Sequence, residues 1–64
     1  MKTIYDPESD ALYLRFADAP VIESQEIAPG IVLDFDAEKR IVAVEVLDAR
    51  RQLAAGAELP SAAE

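Results

Sequence analysis

The sequence contains no cysteine, no histidine and no tryptophan. Lacking cysteine, it has neither a disulfide framework nor a thiolate nucleophile. Lacking histidine as well, it has no zinc finger and no imidazole base working near neutral pH. Bases are scarce too: six Lys and Arg face thirteen Asp and Glu, a formal net charge of −7. A pI near 4.3 repels phosphate backbones, so a nucleic-acid platform is excluded as the expected role. No apolar run approaches the roughly 20 residues of a membrane span. The chain opens with Lys2-Thr3-Ile4-Tyr5, a strand-like start rather than the charged-then-apolar layout of a secretory leader. These absences lead to the expectation of a cytoplasmic chain that binds neither membrane nor nucleic acid.

What is present is a chain of 64 residues, 52% hydrophobic and 30% charged, which reads as one small domain near the lower size limit for folding alone. Residues 2–6 and 11–16 read as two strands around Pro7-Glu8-Ser9-Asp10, where proline presets φ and the acids and serine bond nearby backbone. Leu12, Leu14 and Phe16 alternate with Ala11, Tyr13 and Arg15. Residues 21–27 form a weaker strand whose Glu23 and Glu26 suit an edge. Pro29-Gly30 marks a turn with positive φ at the glycine. Residues 31–36 and 41–48 then form a hairpin centred on Glu38-Lys39, pairing Phe35 with Val42, Leu33 with Val44 and Ile31 with Val46 on one side.

Asp48 reads as the N-cap of a helix over 49–55, with Gly56 at C′ and Pro60 beyond. This helix is weak, because Arg50 and Arg51 occupy the first turn, where the dipole prefers acids. Residues 1–56 are expected to form the domain and 57–64 a frayed tail. The fold class is α+β: a small antiparallel β-meander of about five short strands with one short C-terminal helix. One short helix covers only one face of such a sheet. The uncovered face would carry Tyr13, Val32, Ile41 and Ala43, with Tyr5 also assigned to it and Glu45 pointing the same way. Tyr5, Tyr13, Val32, Ile41, Glu45 and Leu53 are the expected interface residues of a homodimer, since pairing two copies compensates for a small core.

Two acidic groupings invite a chemical reading. Asp34, Asp36, Glu38 and Glu45 fall at relative positions 1, 3, 5 and 12 of a calcium loop, but Lys39 occupies the position of the required glycine and the flanks are strands. A solvated hairpin with turn-forming acids accounts for them. Asp6, Glu8 and Asp10 cluster near Tyr5 and Tyr13, yet a 64-residue monomer can hardly enclose a pocket for acid–base work. Accordingly no catalytic residue, metal ligand or cofactor is assigned. Glu45, bracketed by Val44, Val46 and Leu47, reads as an exposed carboxylate or as an interface anchor paired with Arg15 or Arg40. Arg50 and Arg51 are expected to bridge to acids on the sheet.

Three motifs occur in order: Tyr5-Asp6-Pro7-Glu8-Ser9-Asp10-Ala11-Leu12-Tyr13-Leu14, then Gly30-Ile31-Val32-Leu33-Asp34-Phe35-Asp36, then Val44-Glu45-Val46-Leu47-Asp48-Ala49. In this the chain resembles the small prokaryotic domain of unknown function 2283, over about residues 3–49. It departs from that pattern at Lys39 and Ala43, where glycine is usual, so Lys39 must tolerate a left-handed backbone or the hairpin must use a different loop type. The resemblance implies no enzymatic activity; some similar proteins accompany small toxin-like partners. The functional expectation is a non-enzymatic interaction or structural protein that self-associates, with a basic protein partner in a toxin–antitoxin-like pair as a narrower form. The alternative is a small-molecule or divalent-metal-binding protein, or a small enzyme, with an acidic site at a dimer seam.

Overall fold

A computed structural model describes residues 1–60. Five strands are followed by one helical turn: β1 (Lys2–Asp6), β2 (Ala11–Arg15), β3 (Glu23–Ala28), β4 (Ile31–Phe35), β5 (Ile41–Leu47) and α1 (Ala49–Gln52). All neighbouring strands are antiparallel, and their order is β1-β2-β5-β4-β3. The fold is therefore the small α+β sheet expected from the sequence, but its strands do not follow one another as a simple meander. β5 inserts between β2 and β4. It is the strand best able to lose solvent on both faces, and there Val42 and Ala43 are 1% and 0% exposed. β3 would have to desolvate Glu23 and Glu26 in such a position. It takes the edge instead, where all six of its residues are exposed.

Carboxylates shape the turns. Asp6 accepts hydrogen bonds from Glu8 N at 3.0 Å and Ser9 Oγ at 2.9 Å. Asp36 accepts from Glu38 N at 2.8 Å and Arg40 N at 2.9 Å, and Lys39 takes φ 64° as its position requires. Gly30 has φ 80°, and a Cβ there would lie 3.2 Å from Leu47 O and closer still to the Gln52 side chain. Glycine is needed at this position for both reasons.

Two of the three expected hairpin pairs form, Ile31 with Val46 and Leu33 with Val44. The third does not: Phe35 lies opposite Ile41 rather than Val42. The loop explains the difference. Asp36 N donates to Arg40 O at 2.9 Å and Lys39 N to Asp36 O at 3.1 Å, which closes a tighter loop than one centred between residues 38 and 39. That loop sets a register one residue away from the register of the apolar rows. A bulge between Asp34 and Phe35 absorbs the mismatch, leaving Val42 as the extra residue.

The helix is shorter than its expected span, because Leu53 is already extended (φ −87°, ψ 155°) and Gly56 belongs to a later turn closed by Ala57 N and Ala54 O. Asp48 stands at the N-cap position with φ 52° and makes no capping bond. Asp10, from the β1–β2 turn, substitutes for it. Its carbonyl accepts Ala49 N at 2.9 Å, and its carboxylate lies 3.2 and 3.3 Å from Arg50 N. Helix and sheet are thus tied at their junction by one residue distant in sequence.

The core lies on the helix side. Tyr5, Leu12, Val46 and Ala49 are buried together, with Ile31, Val44, Leu53 and Leu59 packed against them. Leu59, in the stretch expected to fray, packs against this core. The rest of that expectation, residues 61–64, lies outside the described residues.

Candidate functional site: the uncovered sheet face

Strand register decides which side chains share the face away from the helix. One cross-strand row reads Ile4, Tyr13, Glu45, Val32, Glu26. The next reads Lys2, Arg15, Ala43, Asp34, Ser24. Of the six expected interface residues, Tyr13, Glu45 and Val32 therefore stand side by side in one row. Ile41 is exposed at the start of β5, outside that row. Tyr5 and Leu53 do not belong to this face. Tyr5 pairs with Leu12, is 5% exposed and donates its hydroxyl to Asp10 Oδ1 at 2.6 Å. The four-residue turn sets this outcome, because the Asp6–Ala11 closing pair puts Tyr5 in register with the inward Leu12. Leu53 packs on the same core.

The uncovered face has a polar centre. Asp34 is 3% exposed and accepts a hydrogen bond from Ser24 Oγ at 2.6 Å. Glu45 lies diagonally across from it, within reach of a long side chain. A hydrogen bond to Asp34, then partial burial, then the Asp34 charge hold the Glu45 carboxyl above its ordinary range. The expected arginine partners are occupied elsewhere. Arg15 donates to Tyr13 Oη at 2.9 Å, Ala17 O at 3.0 Å and Ala19 O at 2.7 Å, tying down the β2–β3 connection. Arg40 pairs with Asp36 and Glu38 in the hairpin turn. The helix arginines also differ from expectation: Arg51 pairs with Asp48 beside it, and the Arg50 guanidinium sits 5.7 Å from the centroid of the Tyr5 ring.

The carboxyls pull the pH dependence of stability in two directions. The Ser9 hydroxyl and the Glu8 N–H lower the Asp6 pKa, and the Arg40 N–H foremost lowers that of Asp36. Their stabilisation is present above the ordinary aspartate value and fades as pH falls through the lowered one. Glu45 behaves oppositely. Its raised pKa favours folding while it is protonated, and that contribution is lost as pH rises through the raised value. Replacing it by Gln keeps a hydrogen-bond donor toward Asp34 at every pH. Glu45→Gln is expected to raise Tm by about 4 °C at neutral pH, with the gain vanishing below about pH 4, as read by circular-dichroism melts across pH.

The calcium-like spacing does not assemble. Asp34 and Glu45 share the uncovered face, whereas Asp36 and Glu38 lie at the hairpin turn. No group of three or more potential metal-ligating side chains converges among the described residues. The larger depressions, about 440 and 420 Å³, are open to solvent and lie at strand ends near Lys2 and Phe16 and near Ile22 and Arg40. Neither is lined by Asp34 or Glu45.

The sequence singled out Asp34 only within the calcium-like spacing; its two-residue spacing from Val32 on β4 was the signal that puts it on this face. Ser24 was not identifiable, since a strand with no clean apolar side has no readable register.

No curated protein and no solved structure matches the chain. A family model described as "Protein of unknown function (DUF2283)" matches residues 2–50, a span that takes in all three motifs. The chain thus belongs to the DUF2283 family.

Proposed function

We propose that this chain is a non-enzymatic interaction protein that works as a homodimer. The observation that supports this reading is the unequal treatment of the two sheet faces. One is closed by α1 and Leu59. The other presents half-buried Tyr13 and Val32 around a partly desolvated carboxyl pair, with no helix above them among the described residues. A domain of this size draws only about 3–5 kcal/mol from its own core, so association adds a large share of its stability. Sedimentation velocity tests the proposal. A species of twice 7.0 kDa at micromolar concentration is expected, and a 7.0 kDa species at every concentration overturns it.

A basic protein partner, as for the acidic half of a toxin–antitoxin-like pair, is the second reading. It is favoured by Glu23 and Glu26, exposed on the open β3 edge. Residues 49–60 need no such partner in order to pack, since Ala49, Leu53 and Leu59 already lie against the chain's own sheet. A ligand or metal site would have to use Asp34 and Glu45. Two carboxyls fall short of the roughly six to eight oxygens that calcium takes.

A further inference from the structure

Among the described residues, the sheet ends in two open strands, β1 and β3. An open strand presents a row of unpaired N–H and C=O groups and is a template for pairing with another chain. We infer that two copies join through β1, antiparallel, about a two-fold axis at Ile4, to form one continuous ten-stranded sheet. This inference rests on the homodimer reading above for self-association alone, and it places the interface at the β1 edge, so that the uncovered face is extended rather than covered.

Register arithmetic singles out this pairing. Groups that point away from β2 alternate along β1, so an antiparallel partner must match residues of like parity. Centring on Thr3 sets Lys2 opposite Ile4, and centring on Tyr5 sets Ile4 opposite Asp6 and Thr3 opposite Pro7, which has no N–H to donate. Centring on Ile4 sets Lys2 of each copy opposite Asp6 of the other, Thr3 opposite Tyr5, and Ile4 opposite itself. The two charged residues of the strand are then paired twice by symmetry, and opposite charges directly across strands attract. Ile4, 44% exposed on an outer strand, gains an apolar partner on the uncovered face. The row Val32, Glu45, Tyr13, Ile4 continues into its symmetry copy, which doubles the length of that face.

β3 does not offer the same match. It carries Glu23 and Glu26 with no base, and a bulge interrupts it between Glu26 and Ala28. Pairing β3 with itself concentrates negative charge. Pairing β1 of one copy with β3 of the next does not close, and would give filaments rather than a dimer.

The absence of cysteine makes a direct test possible. Ile4→Cys places two thiols at the two-fold axis, where facing Cα atoms in an antiparallel pair stand about 4.5–5.5 Å apart, within disulfide range. Mild oxidation is expected to give a covalent dimer in denaturing electrophoresis. Thr3→Cys, whose own copies face diagonally, and Gln25→Cys on β3 are expected to remain mostly monomeric. Lys2→Glu sets like charges together twice and is expected to weaken the dimer by about tenfold in sedimentation. If the unmodified chain sediments as a dimer but Gln25→Cys cross-links in place of Ile4→Cys, the β1 interface is wrong while self-association stands. If Ile4→Cys and Gln25→Cys both stay uncross-linked in a sedimenting dimer, the β1 interface is again overturned. If the unmodified chain sediments as a monomer, both readings fall.

Discussion

Leu12→Ala is expected to leave most of the chain unfolded at 25 °C. Leu12 is the second residue of β2, opposite Tyr5 on one side and Val46 on the other, and is 8% exposed. Truncating a buried leucine removes its transfer free energy and leaves a cavity, for a loss of about 2–5 kcal/mol. A core this small supplies about 3–5 kcal/mol in all. The loss at one residue is therefore comparable with the whole stability. Far-UV circular dichroism in increasing urea reads it directly. Ile22→Ala serves as the contrast: the side chain is also apolar and large, but 65% exposed, and a change within about 0.5 kcal/mol is expected. Equal losses at both positions would mean that the core is not where the register places it.

Asp10→Ala carries the second largest effect. Three groups depend on this residue. The Tyr5 hydroxyl donates to its carboxylate, Arg50 N does so as well, and Ala49 N donates to its carbonyl. Its backbone is left-handed, with φ 55°, a conformation that Asp and Asn tolerate better than alanine. Losing a cap and a hydrogen-bond acceptor together is expected to destabilise the fold by about 2–3 kcal/mol. Asp10→Asn keeps an acceptor oxygen and the backbone tolerance, so it should lose no more than about 1 kcal/mol. A cycle of Asp10→Ala with Tyr5→Phe is expected to be non-additive, because both remove the same bond. Additive losses would show that Asp10 acts on the helix alone.

These two residues also mark where the sequence was readable. Leu12 lies in a strand of clear alternation, and alternation fixes a face once the neighbouring rows agree. The same agreement made Ile31–Val46 and Leu33–Val44 readable. It did not extend to Phe35, because the hairpin loop obeys its own hydrogen bonds, through Asp36, and the bulge reconciles the two registers. Asp10 was unreadable as a cap. A cap is sought next to its helix, and this one arrives from 40 residues away along the chain. The insertion of β5 between β2 and β4 was hidden for a related reason: sequence order gives neighbours in the chain, and burial on two faces gives neighbours in the sheet. On the uncovered face, Tyr13, Val32 and Glu45 followed from alternation, whereas the Asp34–Ser24 bond depended on the register of an edge strand with no apolar side.

Amide hydrogen exchange of the unmodified chain, resolved residue by residue at a concentration where association is complete, tests the central claim most directly. The expected result is that β5 exchanges slowest, β3 exchanges as an open edge, and β1 is protected as fully as β2 because a second copy covers it. Exchange of alternate β1 amides as rapid as that of the outward amides of β3 would contradict a β1-paired dimer.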